Sequence, residues 1–214
     1  MHKYVKLLGL AVVAAAALMA FAGAGTASAT VLCKTNVIPC GESGWTYGIG
    51  TEIHATQEKG ETGILEDTEG HVLVTCSEST VLATTLNHGS ASETVRAAVT
   101  KLTFGGCTGT VDVLTLGELE IHHIEGSGTD GTITAKNTKV TVKITENTLS
   151  CVYGAGTGID IGTLTHSTGP TEPATIDINA VVPKVEGSFV CPPTTRWTAK
   201  YLVTSPVPLY IKNV

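Results

Sequence analysis

Basic residues are scarce in this 214-residue chain: 13 lysines and arginines stand against 19 acids, and only Arg96 and Arg196 are arginine. A nucleic-acid partner requires a basic stripe to neutralise phosphates, and none is present, so no nucleic acid is expected. The same balance disfavours attraction to anionic membranes. Aromatic residues make up 5% of the chain, with Trp45 and Trp197 the only tryptophans, so the platforms usual in sugar recognition are few. No stretch holds the period of an amphipathic helix over three turns. No C-x-x-C pair suggests zinc, no G-x-S-x-G or H-E-x-x-H motif suggests hydrolysis, and no cofactor is expected.

One long hydrophobic run is present, at the very N-terminus. Lys3 and Lys6 precede the uncharged stretch LLGLAVVAAAALMAFAGAG (Leu7 to Gly25), and Ala27, Ser28 and Ala29 supply a small-residue cleavage site. That order is the pattern of a secretory signal peptide over residues 1–29. The run is long enough to span a bilayer, but its alanine content, its position and the A-x-A site favour cleavage. Leu32, where a small residue would be needed, precedes Cys33 and argues against lipid attachment there. No membrane insertion is expected once the signal is removed. The mature chain, residues 30–214, is expected outside the cell, released or held to the envelope by non-covalent contacts. Without Lys3 and Lys6 it carries 11 basic and 19 acidic residues, a net charge of −8 with histidines neutral.

All six cysteines fall in that exported part. An even number in an oxidising compartment reads as disulfides, and the favoured pairing joins neighbours in sequence: Cys33–Cys40, Cys76–Cys107 and Cys151–Cys191. In the chain-entropy account each of the two longer loops restricts the unfolded state by roughly 4 kcal/mol.

The mature sequence is dominated by alternation. In TKVTVKIT, Val140, Val142 and Ile144 face one way while Lys139, Thr141, Lys143 and Thr145 face the other; ELEIHHI repeats the pattern with Leu119 and Ile121 inward. HVLVTC, TVRAAVTKLTF, ATIDINAVV and RWTAKYLV read as further strands, and EGSGTDGT (Glu125 to Thr132) as a hairpin turn. Glycine-containing turns recur every eight to twelve residues. The expectation is an all-β fold, an antiparallel β-sandwich of roughly a dozen strands stapled by disulfides. It forms one domain over residues 30–214, with two subdomains divided near residues 146–150 as the alternative.

Two stretches look alike, YGIGTEI from Tyr47 and YGAGTGI from Tyr153. A dinucleotide loop needs G-x-G-x-x-G opening a helix, whereas Gly154, Gly156, Gly158 and Gly162 have another spacing and precede β-branched alternation. Both stretches are read as turns, and whether they record a duplication is left open. Thr-x-Thr pairs at 108/110, 132/134 and 163/165 lie at unequal intervals, so they build no repeating hydroxylated face.

The candidate sites are few. Glu118, Glu120 and His122 share one strand face and form the candidate metal group; His122 and His123 point oppositely and cannot share an ion without a bulge. His54 lies beside Glu52, and His71, His88 and His166 sit in turn-like contexts. Glu66 and Asp67 exemplify acid pairs that a hydrolase would need to bring together across a cleft. Trp45, in GESGWTYG, is the candidate ligand-binding aromatic, and Trp197 reads as core.

CVYGAGTGIDIGTLT, ATIDINAVV and CPPTTRWTAKYLVTSPVPLYI, together with LCKTNVIPC and LTFGGCTG, resemble a group of uncharacterised exported proteins of soil actinobacteria. The resemblance spans most of the chain and implies secretion. It implies no activity and transfers no catalytic residue. The expected function is that of a secreted or envelope-associated structural or binding protein without catalysis, acting on an extracellular partner. A hydrolase with a non-local carboxylate pair and a glycan-binding module are the alternatives.

Overall fold

The structure is a computed structural model that describes residues 30–37, 40, 44–124, 130–144 and 149–213. The expected signal peptide and residues 125–129 of the EGSGTDGT turn lie outside the described residues; Asp130–Thr132 belong to a strand.

The described residues form strands and no helix. In chain order these are β1 (Val31–Cys33), β2 (Glu52–Gln57), β3 (Gly63–Asp67), β4 (Val72–Thr85) and β5 (Val95–Cys107). Then come β6 (Thr110–Thr115), β7 (Glu118–His123), β8 (Asp130–Lys136), β9 (Lys139–Ile144) and β10 (Leu149–Gly154). The last are β11 (Ile159–Thr165), β12 (Ala174–Gly187), β13 (Thr194–Ser205) and β14 (Tyr210–Lys212). HVLVTC, TVRAAVTKLTF, ATIDINAVV and RWTAKYLV are parts of β4, β5, β12 and β13.

The chain runs up and down through eight antiparallel traverses. Four are the long strands β4, β5, β12 and β13. The other four are interrupted near the middle: β2 continues as β3, β6 as β7, β8 as β9 and β10 as β11. The interruptions fall where the sequence places residues that tolerate positive φ: Gly60, Gly117, Asn137, Gly156 and Gly158.

A two-sheet sandwich does not describe this arrangement. The sheet closes on itself through β13, which pairs with β12 on one side and with β2 and β3 on the other, while β2 and β3 both pair with β4. An eight-stranded ring of β2, β4, β5, β7, β8, β11, β12 and β13 results. Alternation cannot tell the two architectures apart, because both bury every second residue; the pairing of first and last traverses decides it. Strands on both sides of residues 145–148 belong to this one sheet.

Both ends of the barrel are filled. At one end β1 and β14 pair with each other and insert Leu32, Leu209 and Ile211, each almost wholly buried, among Val95, Leu164 and Val203. At the other, Leu65, Val74, Val142 and Tyr153 pack with Cys76, Cys151 and Cys191. The three disulfides pair as expected: Cys33–Cys40, Cys76–Cys107 and Cys151–Cys191. Cys76 and Cys107 stand opposite each other on β4 and β5, and Cys151–Cys191 ties β10 to the β12–β13 connection.

Candidate binding cavity

Between the two packed ends, the inward residues leave a cavity of about 190 Å³. Ile176, Ile178 and Ala180 of β12, Trp197 and Tyr201 of β13 and Phe104 of β5 form part of its wall. Four alanines, Ala55, Ala135, Ala155 and Ala180, supply the room, since a larger inward residue at those positions would occupy it. Trp197 lies edge-on to Phe104, with ring centroids 5.6 Å apart. Gly63 makes the indole's position feasible: a Cβ there would stand 2.6 Å from the ring.

The polar side chains of the wall are engaged within the protein. The Tyr201 hydroxyl donates to Ser79 Oγ at 2.9 Å. Thr138 Oγ1 donates to the Leu116 carbonyl at 2.9 Å, and the Tyr153 hydroxyl donates to the Pro192 carbonyl at 3.4 Å. Burial, followed by the charge of Asp67, pushes the Tyr153 phenol up to about 12. None of the lining residues is charged. The cavity therefore offers dispersion and hydrophobic contact, with no side-chain ion to hold a charged group. An engineered apolar cavity of about 150 Å³ accommodates benzene, so this one is of the size of a substituted single ring.

The sequence-derived candidates lie elsewhere. Trp197, read as core, is half-buried, packs against the core and lines the cavity. Trp45 is 45% exposed and does not line the cavity. Glu120 accepts an ion pair from Lys136 Nζ at 2.6 Å, with His122 Nε2 3.7 Å from its other oxygen. Glu118, Glu120 and His122 thus follow one another along β7, but Glu120 is committed to Lys136. Among the described residues no group of three His, Cys, Asp or Glu side chains is arranged to hold a metal ion. His122 and His123 do face opposite sides: His123 is buried and His122 half-buried. His54 Nε2 lies 3.7 Å from Glu52, and the His166 ring packs on Tyr210.

Glu66 and Asp67 border a surface cleft of about 280 Å³ with Glu69 and Arg196. Asp67 is occupied by its own turn, accepting from the backbone N–H of Glu69 and of His71 and contacting His71 Nδ1 at 2.9 Å. The His71 backbone bond foremost holds the Asp67 carboxyl below its ordinary range, and the bond from Asp67 raises His71 above 6.5. Such an acid is a turn anchor and stays ionised at neutral pH. The histidine's contribution to stability is complete below its unfolded pKa and is lost as pH rises through the higher folded value. Asp67→Asn should therefore return the His71 titration midpoint towards 6.5, as followed by NMR of the ring protons. An unchanged midpoint would remove Asp67 as the cause.

The YGIGTEI and YGAGTGI stretches are both turns, with Gly50, Gly156 and Gly158 at positive φ. They occupy unlike places: the first leads into β2 at the plugged end, and the second joins β10 to β11 at mid-height. The cavity itself escapes motif reasoning. Its only trace in the sequence is alanine at inward strand positions, as in GTITAK and IDINA. No family model, curated protein or solved structure matches the chain.

Proposed function

We propose that this is an exported, non-catalytic binding protein that holds a small, neutral, apolar molecule inside its barrel. The observation that carries the reading is the apolar cavity in the barrel, lined by aliphatic and aromatic side chains and by no charged group. Apolar concavities of this kind are the default sites for small ligands. Three disulfides and the signal-like N-terminus support action in an oxidising compartment. The barrel's polarity supports a water-facing life: outward positions carry ion pairs such as Lys200–Glu58 and Lys143–Asp112. A lipid-embedded barrel has the opposite arrangement, apolar outside.

Bromobenzene tests the reading, because its heavy atom quenches tryptophan fluorescence on contact. In a Trp45→Phe variant, excited at the red edge where tyrosine does not absorb, Trp197 is the sole tryptophan and the sole emitter. Quenching should saturate, with an apparent Kd of about 0.1–1 mM for so small a ligand. Quenching that rises linearly, as for free indole, would overturn the proposal.

A further inference from the structure

We infer that the ligand reaches the cavity sideways, through the seam between β5 and β6; this inference rests on the binding reading above. In the ring, every other pair of neighbouring traverses is joined by ladders along its height. The β5–β7 ladder, in contrast, ends at Ala98↔Glu118, followed by a single Val99 N–H to Gly117 carbonyl bond. Beyond that point β6 pairs only with β9, and among the described residues no ladder joins it to β5. Residues 100–106 of β5 therefore border an unladdered stretch about 20 Å long at strand rise.

The two banks of this seam are also cavity wall. Leu102 and Phe104 stand on β5, Val111 on β6 and Leu116 just beyond it, and all four line the cavity. Outside, Leu114 of β6 is 53% exposed. The ends of the seam are pinned. Val99–Gly117 closes one. At the other the Thr108 N–H donates to the Thr75 carbonyl and Thr108 Oγ1 accepts from the Thr75 N–H, beside the Cys76–Cys107 bridge. β5 is held to β4 by its full ladder and that disulfide, and β6 is held to β9 by its own ladder, so the banks part as two paired units. A slit pinned at both ends can part in its middle by losing side-chain contact alone, without breaking a backbone ladder. The ends of the barrel offer no such route, because the β1–β14 plug and the Val74–Val142–Tyr153 cluster fill them. A neutral molecule suits this path, since the inward residues of the banks are Leu102, Phe104 and Val111 and the wall beyond holds no charge.

The test measures association and dissociation rates of bromobenzene by stopped-flow quenching of Trp197 in the Trp45→Phe background. Thr103→Cys with Leu114→Cys places a thiol on each bank, opposite one another if the Cys107–Thr110 hairpin is extended. With the bridge confirmed by mass, both rates should fall at least tenfold while Kd changes less than threefold, and the two single-cysteine variants should keep the parent rates. Unchanged rates in the bridged protein would overturn the portal. If the bridge does not form, Leu102→Ala and Ile178→Ala decide. Both remove methyl groups from the wall, but only Leu102 stands on a bank. Leu102→Ala should raise both rates at least threefold, with Ile178→Ala leaving association unchanged; equal association rates in the two variants would overturn the portal. Saturable binding with seam-independent rates defeats the portal alone. Absence of saturable binding in the parent protein defeats the binding reading and the portal with it.

Discussion

Ile211→Asp is expected to abolish the folded barrel, and Ile211→Ala to lower its stability by about 2–5 kcal/mol. Ile211 lies three residues from the end of the chain, where an exposed substitution changes stability by no more than about 0.5 kcal/mol. Here the side chain is fully buried. Together with Leu32 and Leu209 it forms the plug, so the first and last strands of the described residues jointly seal one end of the barrel. The surrounding hydrogen bonds fix the plug in place: the Ser167 N–H donates to the Leu209 carbonyl, the Leu209 N–H donates to Ser167 Oγ, and the Tyr47 hydroxyl donates to the Pro208 carbonyl. Thr30 is drawn in as well, its Oγ1 accepting from the His123 N–H. An aspartate at 211 would sit among leucine, valine and isoleucine, with the neighbouring Lys212 engaged by Asn36, so it must either stay buried without a partner or pull the plug out. Urea denaturation followed by Trp197 fluorescence checks both variants. A midpoint for Ile211→Ala within error of the parent would mean that the tail merely lies against the barrel and that the seal is made elsewhere.

Strand content and strand polarity were legible because alternation reports them directly. Val140 and Val142 line the cavity, and Lys143 is turned outward to Asp112. The disulfide pairing was legible for a related reason: in an up-and-down chain neighbouring cysteines fall on neighbouring traverses, as Cys76 and Cys107 do on β4 and β5. Closure was not legible. Whether β13 pairs with β2 is a contact between residues about 150 apart, and nothing local in GTEIHATQ or WTAKYLVTS marks one as the partner of the other. The plug was invisible too, because PLYIKNV is too short and too irregular to show a period, although Leu209, Tyr210 and Ile211 are all buried. Trp45, Glu118, Glu120 and His122 drew attention because their side chains carry recognisable chemistry. A cavity is made by small residues where large ones are absent, and alanine in a strand carries no such flag.

Ala180→Leu should raise stability and destroy binding in the same protein. Ala180 is buried at mid-height on β12, directly opposite Trp197 on β13, and its methyl group faces the cavity. Filling unused apolar volume commonly adds about 0.5–2 kcal/mol, as each new methylene leaves water and gains contacts on several sides. The same leucine would occupy the space in which a ring-sized ligand must lie, so the apparent Kd for bromobenzene should weaken at least tenfold. The opposition of signs locates the bromobenzene site in the cavity beside Ala180 rather than on the surface. Three results are distinguishable by combining urea denaturation with Trp197 quenching. Gain of stability with loss of binding places the ligand against Ala180. Gain of stability with unchanged binding places bromobenzene at another surface and removes the cavity as its site. A loss of about 1–3 kcal/mol would mean that the wall has already closed around Ala180 and that the added side chain overpacks it. Stability kept in reserve at a buried alanine is otherwise hard to explain. In a barrel whose two ends are packed with leucine, isoleucine and valine, alanine at four positions of the middle wall is the arrangement expected when that space is reserved for a guest.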